Sequence, residues 1–134
     1  MVGVLVFTHG ALGDALLRAA AHVLGGMPPH AEAVMIAPGE SPEAILARAH
    51  QALARVDQGD GVLILTDIYG ATPANTALKL LEDGNVEGLS GVNLPMMLRA
   101  LTQRGDSLDK VLERTRGGGM DGIVYMNRDR CRSC

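Results

Sequence analysis

Aromatic side chains are nearly missing from this chain: two tyrosines, one phenylalanine and no tryptophan among 134 residues. Binding modes that stack bases or sugar rings on aromatic faces are therefore disfavoured, and the core has to be built from Leu, Val, Ile, Ala and Met. Positive charge is not in excess either. Lys and Arg number 12 against 15 Asp and Glu, a net charge of −3, which offers no electrostatic footprint for nucleic acid. Arginines do gather late in the chain (Arg114, Arg116, Arg128, Arg130, Arg132), but Glu113, Asp121 and Asp129 interrupt them, as on a solvated mixed-charge surface. No apolar run approaches the roughly 20 residues that span a bilayer. No basic stretch precedes the first apolar residues as it would in a signal peptide, so a cytoplasmic protein without membrane insertion is expected. Cysteine is confined to Cys131 and Cys134. Two ligands fall short of a structural zinc site, and a disordered tail at 128–134 is the expectation, with no metal and no cofactor.

What is present is an ordinary apolar fraction of 47%, enough for one domain over 1–127, and a repeated βα rhythm. A short apolar run, Val2 to Phe7, stops on Thr8-His9-Gly10. A helical pattern follows from about Ala11 to Leu24, with Leu12, Leu16, Ala19, Ala20 and Val23 on one face and Gly25-Gly26 at its end. A second strand is expected near Glu32 to Ile36. Ser41-Pro42-Glu43 then reads as cap, first-turn proline and early acid of a helix reaching Val56, with Ile45, Ala49, Ala52, Leu53 and Val56 inward.

The run Gly61 to Thr66 is apolar without alternation, as expected of a central parallel strand buried on both faces. Asp67-Ile68-Tyr69-Gly70-Ala71-Thr72-Pro73 follows it, with Thr72 placed as the cap of a helix that buries Ala74, Ala77, Leu78 and Leu81. A weaker strand lies near Val86 to Leu89. After the polar turn Ser90-Gly91-Val92-Asn93, Asn93 caps a helix presenting Leu94, Met97, Leu98 and Leu101. Ser107 caps a short helix, Gly117-Gly118-Gly119 breaks it, and Gly122 to Met126 reads as a final strand. Alternating strands and helices indicate an α/β fold: a doubly wound, mostly parallel open sheet, order 2-1-3-4, with helices on both faces.

Open α/β sheets bind ligands beyond the carboxyl ends of their strands, at the point where the strand order reverses. The first strand delivers His9 there and the third delivers Asp67. A neutral imidazole carries one nucleophilic lone pair at pH 7, its ordinary pKa being about 6.5. A carboxylate on the other ring nitrogen fixes the tautomer and stabilises the cationic character that grows during attack. With no Ser or Cys partner in view, the imidazole itself is the candidate nucleophile, and a phosphoryl group its electrophile. Gly70, Ala71 and Thr72 open a helix whose unpaired amides favour an anion, which makes them the candidate phosphate-binding residues. Each residue also has a plainer reading: His9 as a turn residue, Asp67 as a brace of its loop, Thr72-Pro73 as a cap alone. His22, His30 and His50 have no partner at suggestive spacing.

Three segments in order, VGVLVFTHGALGDALL, LTDIYGATPAN and SGVNLPMMLRAL, resemble the mannose-family IIA component of the bacterial phosphoenolpyruvate:sugar phosphotransferase system (PTS). The resemblance covers essentially the whole chain. It implies that His9 is phosphorylated by the phosphocarrier HPr, that Asp67 orients the imidazole, and that Thr72 with its helix amides holds the phosphate. It implies a homodimer in which the last strand, Gly122 to Met126, is exchanged through a Gly117–Gly119 linker. The family usually places two adjacent glycines before the Thr/Ser-Pro pair, and here the second is Ala71. No IIB domain follows in this sequence, so phosphate either passes to a separate IIB protein for sugar uptake or ends in regulation. A more distant alternative is the phosphotransfer subunit of a dihydroxyacetone kinase. A receiver-like domain phosphorylated on Asp67 lacks the acidic cluster it needs after the first strand.

Overall fold

Two runs of valine, leucine and isoleucine form the centre of the molecule because every side chain they carry is buried, whichever face it points to. The computed structural model describes residues 1–129. Its elements alternate as β1 (Gly3–His9), α1 (Leu12–Leu24), β2 (Ala31–Ile36), α2 (Pro42–Val56), β3 (Val62–Thr66), α3 (Thr72–Leu78), β4 (Val86–Ser90) and α4 (Leu94–Thr102). Helices α5 (Leu108–Asp121) and α6 (Met126–Asp129) complete the order. The four strands pair in parallel in the order β2-β1-β3-β4, the expected doubly wound sheet. Among the described residues no helix is long and apolar enough to cross a membrane.

The two-residue period of a strand sorts the core into two layers. Val4 and Val6 of β1 with Leu63 and Leu65 of β3 meet Leu17 and Ala20 of α1, Met96, Met97 and Ala100 of α4, and Val111 of α5. Leu5 and Phe7 with Val62 and Ile64 meet Ala49, Ala52 and Val56 of α2 and Ala77 of α3. The helices dock largely through small residues. α1 buries Gly13, Ala20 and Ala21 beside Leu17, a face turned from the expected one, and leaves Leu12 and Val23 exposed. The reason is close approach: a Cβ on Gly13 would lie 3.0 Å from the Thr8 hydroxyl. In α3 the expected Ala74 and Ala77 are buried, whereas Leu78 is exposed, as is Leu81, which lies beyond the end of the helix.

The expected break at Gly117–Gly119 and the strand at Gly122–Met126 are not found. Helix α5 runs through all three glycines to Asp121. Residues 123–125 carry no regular structure, and Met126 opens α6, which crosses the expected boundary at 127. Arg130–Cys134, and with them the two cysteines, lie outside the described residues. Glycine disfavours a helix interior by about 1 kcal/mol relative to alanine, but here packing overrides propensity. A Cβ on Gly119 would sit 2.4 Å from Cγ of the buried Met96, and one on Gly118 2.9 Å from Cβ of Arg99. Only glycine lets α5 lie so close to α4. Among the described residues no strand lies beside the GIVYM run, and its Ile123 N–H bonds back to the Met120 carbonyl at the end of α5 instead.

The run should therefore split under mutation. Gly117→Ala meets nothing within 4 Å and is expected to raise stability by about 0.5–1 kcal/mol through helix propensity. Gly119→Ala is expected to lower it, because overpacking of roughly 1–3 kcal/mol exceeds the propensity gain. Urea denaturation of both variants decides; two stabilising effects would refute the close α4–α5 contact.

Candidate active site

The reactive rim lies where β1 and β3 end side by side. β1 carries two residues further than its β3 ladder: Phe7 is the last to pair with β3, at Thr66, while His9 still pairs with Ile36 of β2. The turn to α1 is fixed from inside. Thr8 is buried, and its hydroxyl accepts the Gly13 N–H at 2.6 Å, capping a helix whose own N-cap residue, Ala11, makes no side-chain bond. Gly10 takes a left-handed φ of +53°, which releases the chain outward directly after His9.

The structure brings His9 and Asp67 together, 58 residues apart in sequence. One carboxylate oxygen, Oδ2, lies 2.8 Å from the His9 Nδ1 and also accepts the His9 backbone N–H at 2.9 Å. The other, Oδ1, accepts the Ile68 N–H at 2.9 Å. Exposure differs sharply between the partners: 58% for the imidazole and 12% for the carboxylate. Burial pushes the Asp67 carboxyl upward, but the His9 N–H, the His9 ring and the Ile68 N–H outweigh it and hold the group below its ordinary 3.8. Asp67 is thus ionised at neutral pH, and an ionised carboxylate only accepts. The proton between the pair therefore resides on Nδ1, and Nε2 carries the lone pair.

The second polar turn holds the backbone that carries this carboxylate. Gly91 donates its N–H to the Asp67 carbonyl at 3.2 Å, and Val92 donates to that of Thr66 at 2.9 Å. Asn93 caps α4 as expected, accepting the Met96 N–H at 2.9 Å, and its amide also donates to the Gly119 carbonyl at 3.3 Å.

Gly70, Ala71 and Thr72 follow Asp67 on the same rim, and no hydrogen bond joins them to His9. Gly70 has a φ of +89°, where a Cβ would be strained. Ala71 is extended at φ −99° and ψ 174°, a conformation open to any residue, so the methyl group in place of the usual second glycine is accommodated without strain. Thr72 departs from expectation: Ala71 is the N-cap, Thr72 is the first helical residue, and no side chain caps α3. Pro73 leaves the Thr72 and Ala74 amides as the first-turn donors, which no helix carbonyl reaches.

Composition and spacing passed over Thr8 and Ile68, while Leu12, expected on the inner face of α1, is exposed, as is Tyr69. A buried threonine before a strand-end histidine is a local signal for the first; only the observed rotation of α1 reveals Leu12. A cavity of about 480 Å³ lies between α3, β4 and α5, lined by Thr66, Leu78, Leu89, Arg116 and Ile123 among others. Neither His9 nor Asp67 lines it, and the His9 ring projects exposed from the rim.

The family model described as PTS system fructose IIA component (EIIA-man) matches residues 3–115. The chain belongs to the EIIA-man family. It is 30% identical over 125 residues to the PTS system mannose-specific EIIAB component of Escherichia coli (strain K12), covering 91% of this chain and 38% of that protein. The chain thus spans well under half the length of that relative. It is 33% identical over 105 residues to the PTS system fructose-specific EIIA component of Bacillus subtilis (strain 168), covering 78% of this chain and 71% of that one. Its fold is that of the phosphotransferase system component EIIA from Streptococcus agalactiae, with a TM-score of 0.83 at 23% identity over 95% of this chain and 98% of that one. Within this EIIA-man chain, His9 and Asp67 close the first and third strands of the matched region.

Proposed function

We propose that this chain is a phosphohistidine carrier of the sugar PTS. In this reading His9 Nε2 accepts a phosphoryl group from HPr and hands it to a IIB component in the cytoplasm. The observation that carries the reading is the His9 Nδ1–Asp67 contact at 2.8 Å on an open rim. The lone pair on Nε2 forms a bond to phosphorus as the bond from phosphorus to the donor breaks, and the donor keeps that electron pair. The ring becomes cationic, and the neighbouring carboxylate charge of Asp67 stabilises it. Water takes no part, and no proton need leave Nδ1.

Gly70, Ala71 and Thr72 would receive the phosphoryl oxygens through the uncapped first turn of α3 and the Thr72 hydroxyl. The openness of the rim and its apolar surroundings, Leu12, Ile68 and Tyr69, suit a protein surface as donor better than a small molecule sunk in a pocket. The relatives are named for mannose and for fructose, and the reading takes the sugar class alone. Phosphoenolpyruvate, the general PTS enzyme and HPr should label the intact chain, with an acid-labile, base-stable phosphate mapping to His9. An unlabelled chain would refute the carrier reading.

The family resemblance further supports a homodimer. β4 is an outer strand of the sheet, the 480 Å³ cavity lies against it, and Ile123, Val124, Tyr125 and Met126 are exposed. In a dimer a partner subunit would cover these exposed side chains. Light scattering on the intact chain should return twice the 14.0 kDa chain mass; a monomer at micromolar concentration would remove this part of the reading.

A further inference from the structure

His9 has a second flank. In the order β2-β1-β3-β4, Asp67 lies beside it after β3, and the loop Ala37–Glu40 lies on the opposite side after β2. The two are joined through the backbone: His9 pairs with Ile36, and Gly10 donates its N–H to the Ile36 carbonyl at 3.4 Å.

That loop is short, exposed and tightly bonded. Ala37 donates its N–H to Glu40 Oε1 at 3.0 Å, and Glu40 returns its N–H to the Ala37 carbonyl at 3.3 Å. One terminal nitrogen of Arg48, two turns into α2, lies 2.7 Å from both Glu40 carboxylate oxygens and 2.8 Å from the Met35 carbonyl. Gly39 sits at φ +81°, so the loop has one compact path. The Ala37 amide first, and then Arg48, hold the Glu40 carboxyl below its ordinary value. Ala37, Pro38 and Gly39 stay exposed on the outer side.

We propose that Glu40 and Arg48 are a positioning pair that holds the Ala37–Glu40 loop as one wall of the footprint on which the phosphocarrier docks against His9. Exposed ion pairs contribute little to global stability, and this one closes no core contact. What it orders is three exposed residues beside the nucleophile, opposite Asp67. Without it the loop keeps its place in the chain but not its single shape, and ordering it then falls to the docking partner.

The inference rests on the carrier reading, and one titration separates them. Initial rates of labelling are measured against phospho-HPr concentration for the intact chain and its variants. Glu40→Ala and Arg48→Ala are expected to raise KM about three- to tenfold with kcat unchanged, the signature of lost docking rather than lost chemistry. Arg48→Lys, which keeps the charge within reach of Glu40, is expected to restore most of the wild-type KM. The double variant should be no worse than the poorer single, because both act through one loop. Melting temperatures should stay near wild type throughout.

Unchanged KM in both alanine variants, or a fall in kcat at constant KM, would overturn the proposal. So would additive effects in the double variant, or an alanine-variant KM defect accompanied by a large fall in melting temperature. An unlabelled wild type would overturn the carrier reading and this inference together; a labelled wild type with indistinguishable variants would overturn this inference alone.

Discussion

A chain carrying His9→Gln is expected to take up no phosphate from phospho-HPr, a loss of at least about 10³-fold, while variants of His22, His30 and His50 should label as the wild type does. Glutamine is chosen because it keeps a polar group near Asp67 and removes only the nucleophile. An amide nitrogen has no free lone pair to form a bond to phosphorus. His9 is mostly exposed and outside the core, so its replacement leaves the two packed layers intact, and circular dichroism should show an unchanged fold. The phosphate on the wild type should fall off in acid and survive base. Undiminished labelling of His9→Gln, or loss upon substitution of another histidine, would remove His9 from the mechanism.

Asp67→Asn is expected to slow transfer by about 10²-fold or more, with KM for HPr little changed. The carboxylate takes N–H bonds on both oxygens: the His9 amide and ring on Oδ2, the Ile68 amide on Oδ1. An amide has one acceptor and one donor, so either orientation sets a donor against a donor. With its NH2 turned to His9, the proton is driven to Nε2, the nitrogen that must attack. The same variant has a pH signature. Because the Asp67 carboxyl is held below 3.8 in the fold, its contribution to stability is complete above that value and is lost as pH falls through the lowered one. Melting temperatures of wild type and Asp67→Asn should therefore differ most near neutrality and converge in acid below about pH 3.8. A difference that persists unchanged down to about pH 2 would mean that the bonds to His9 and Ile68 do not stabilise the charged form.

Local chemistry was legible in the sequence where a side chain acts on its own neighbourhood. Ser41 caps α2 by accepting the Ala44 N–H at 3.1 Å, and Asn93 caps α4, both as their positions imply. The convergence of His9 and Asp67 followed from the βα rhythm and one assumed strand order, which the sheet bears out. What could not be read is set by contacts between elements. Gly13 turns α1 so that Leu12 faces outward, and nothing within α1 announces Thr8 as its neighbour. Gly117–Gly119 look like a break until Met96 and Arg99 are seen pressed against them. Glu40 and Arg48, eight residues apart, meet only because the chain doubles back from β2 into α2. Thr72 looked like a cap because threonine commonly is one; the extended Ala71 before it takes that place.

The way the helices meet the sheet also shapes which sequences can replace this one. Gly13, Ala20, Ala49, Ala52, Ala77 and Ala100 are buried small residues on the helix side of the two layers, with much of the bulk supplied by the strands. At such helix positions there is little volume left to remove and none to add. Tolerance is therefore one-sided: drift toward smaller residues at the strand positions opens cavities that a neighbour can partly fill, whereas any enlargement on the helix side must push a whole element off the sheet. The helix faces record a ceiling on size rather than a demand for hydrophobicity, and the substitutions they accept over time should be counted in cubic ångströms.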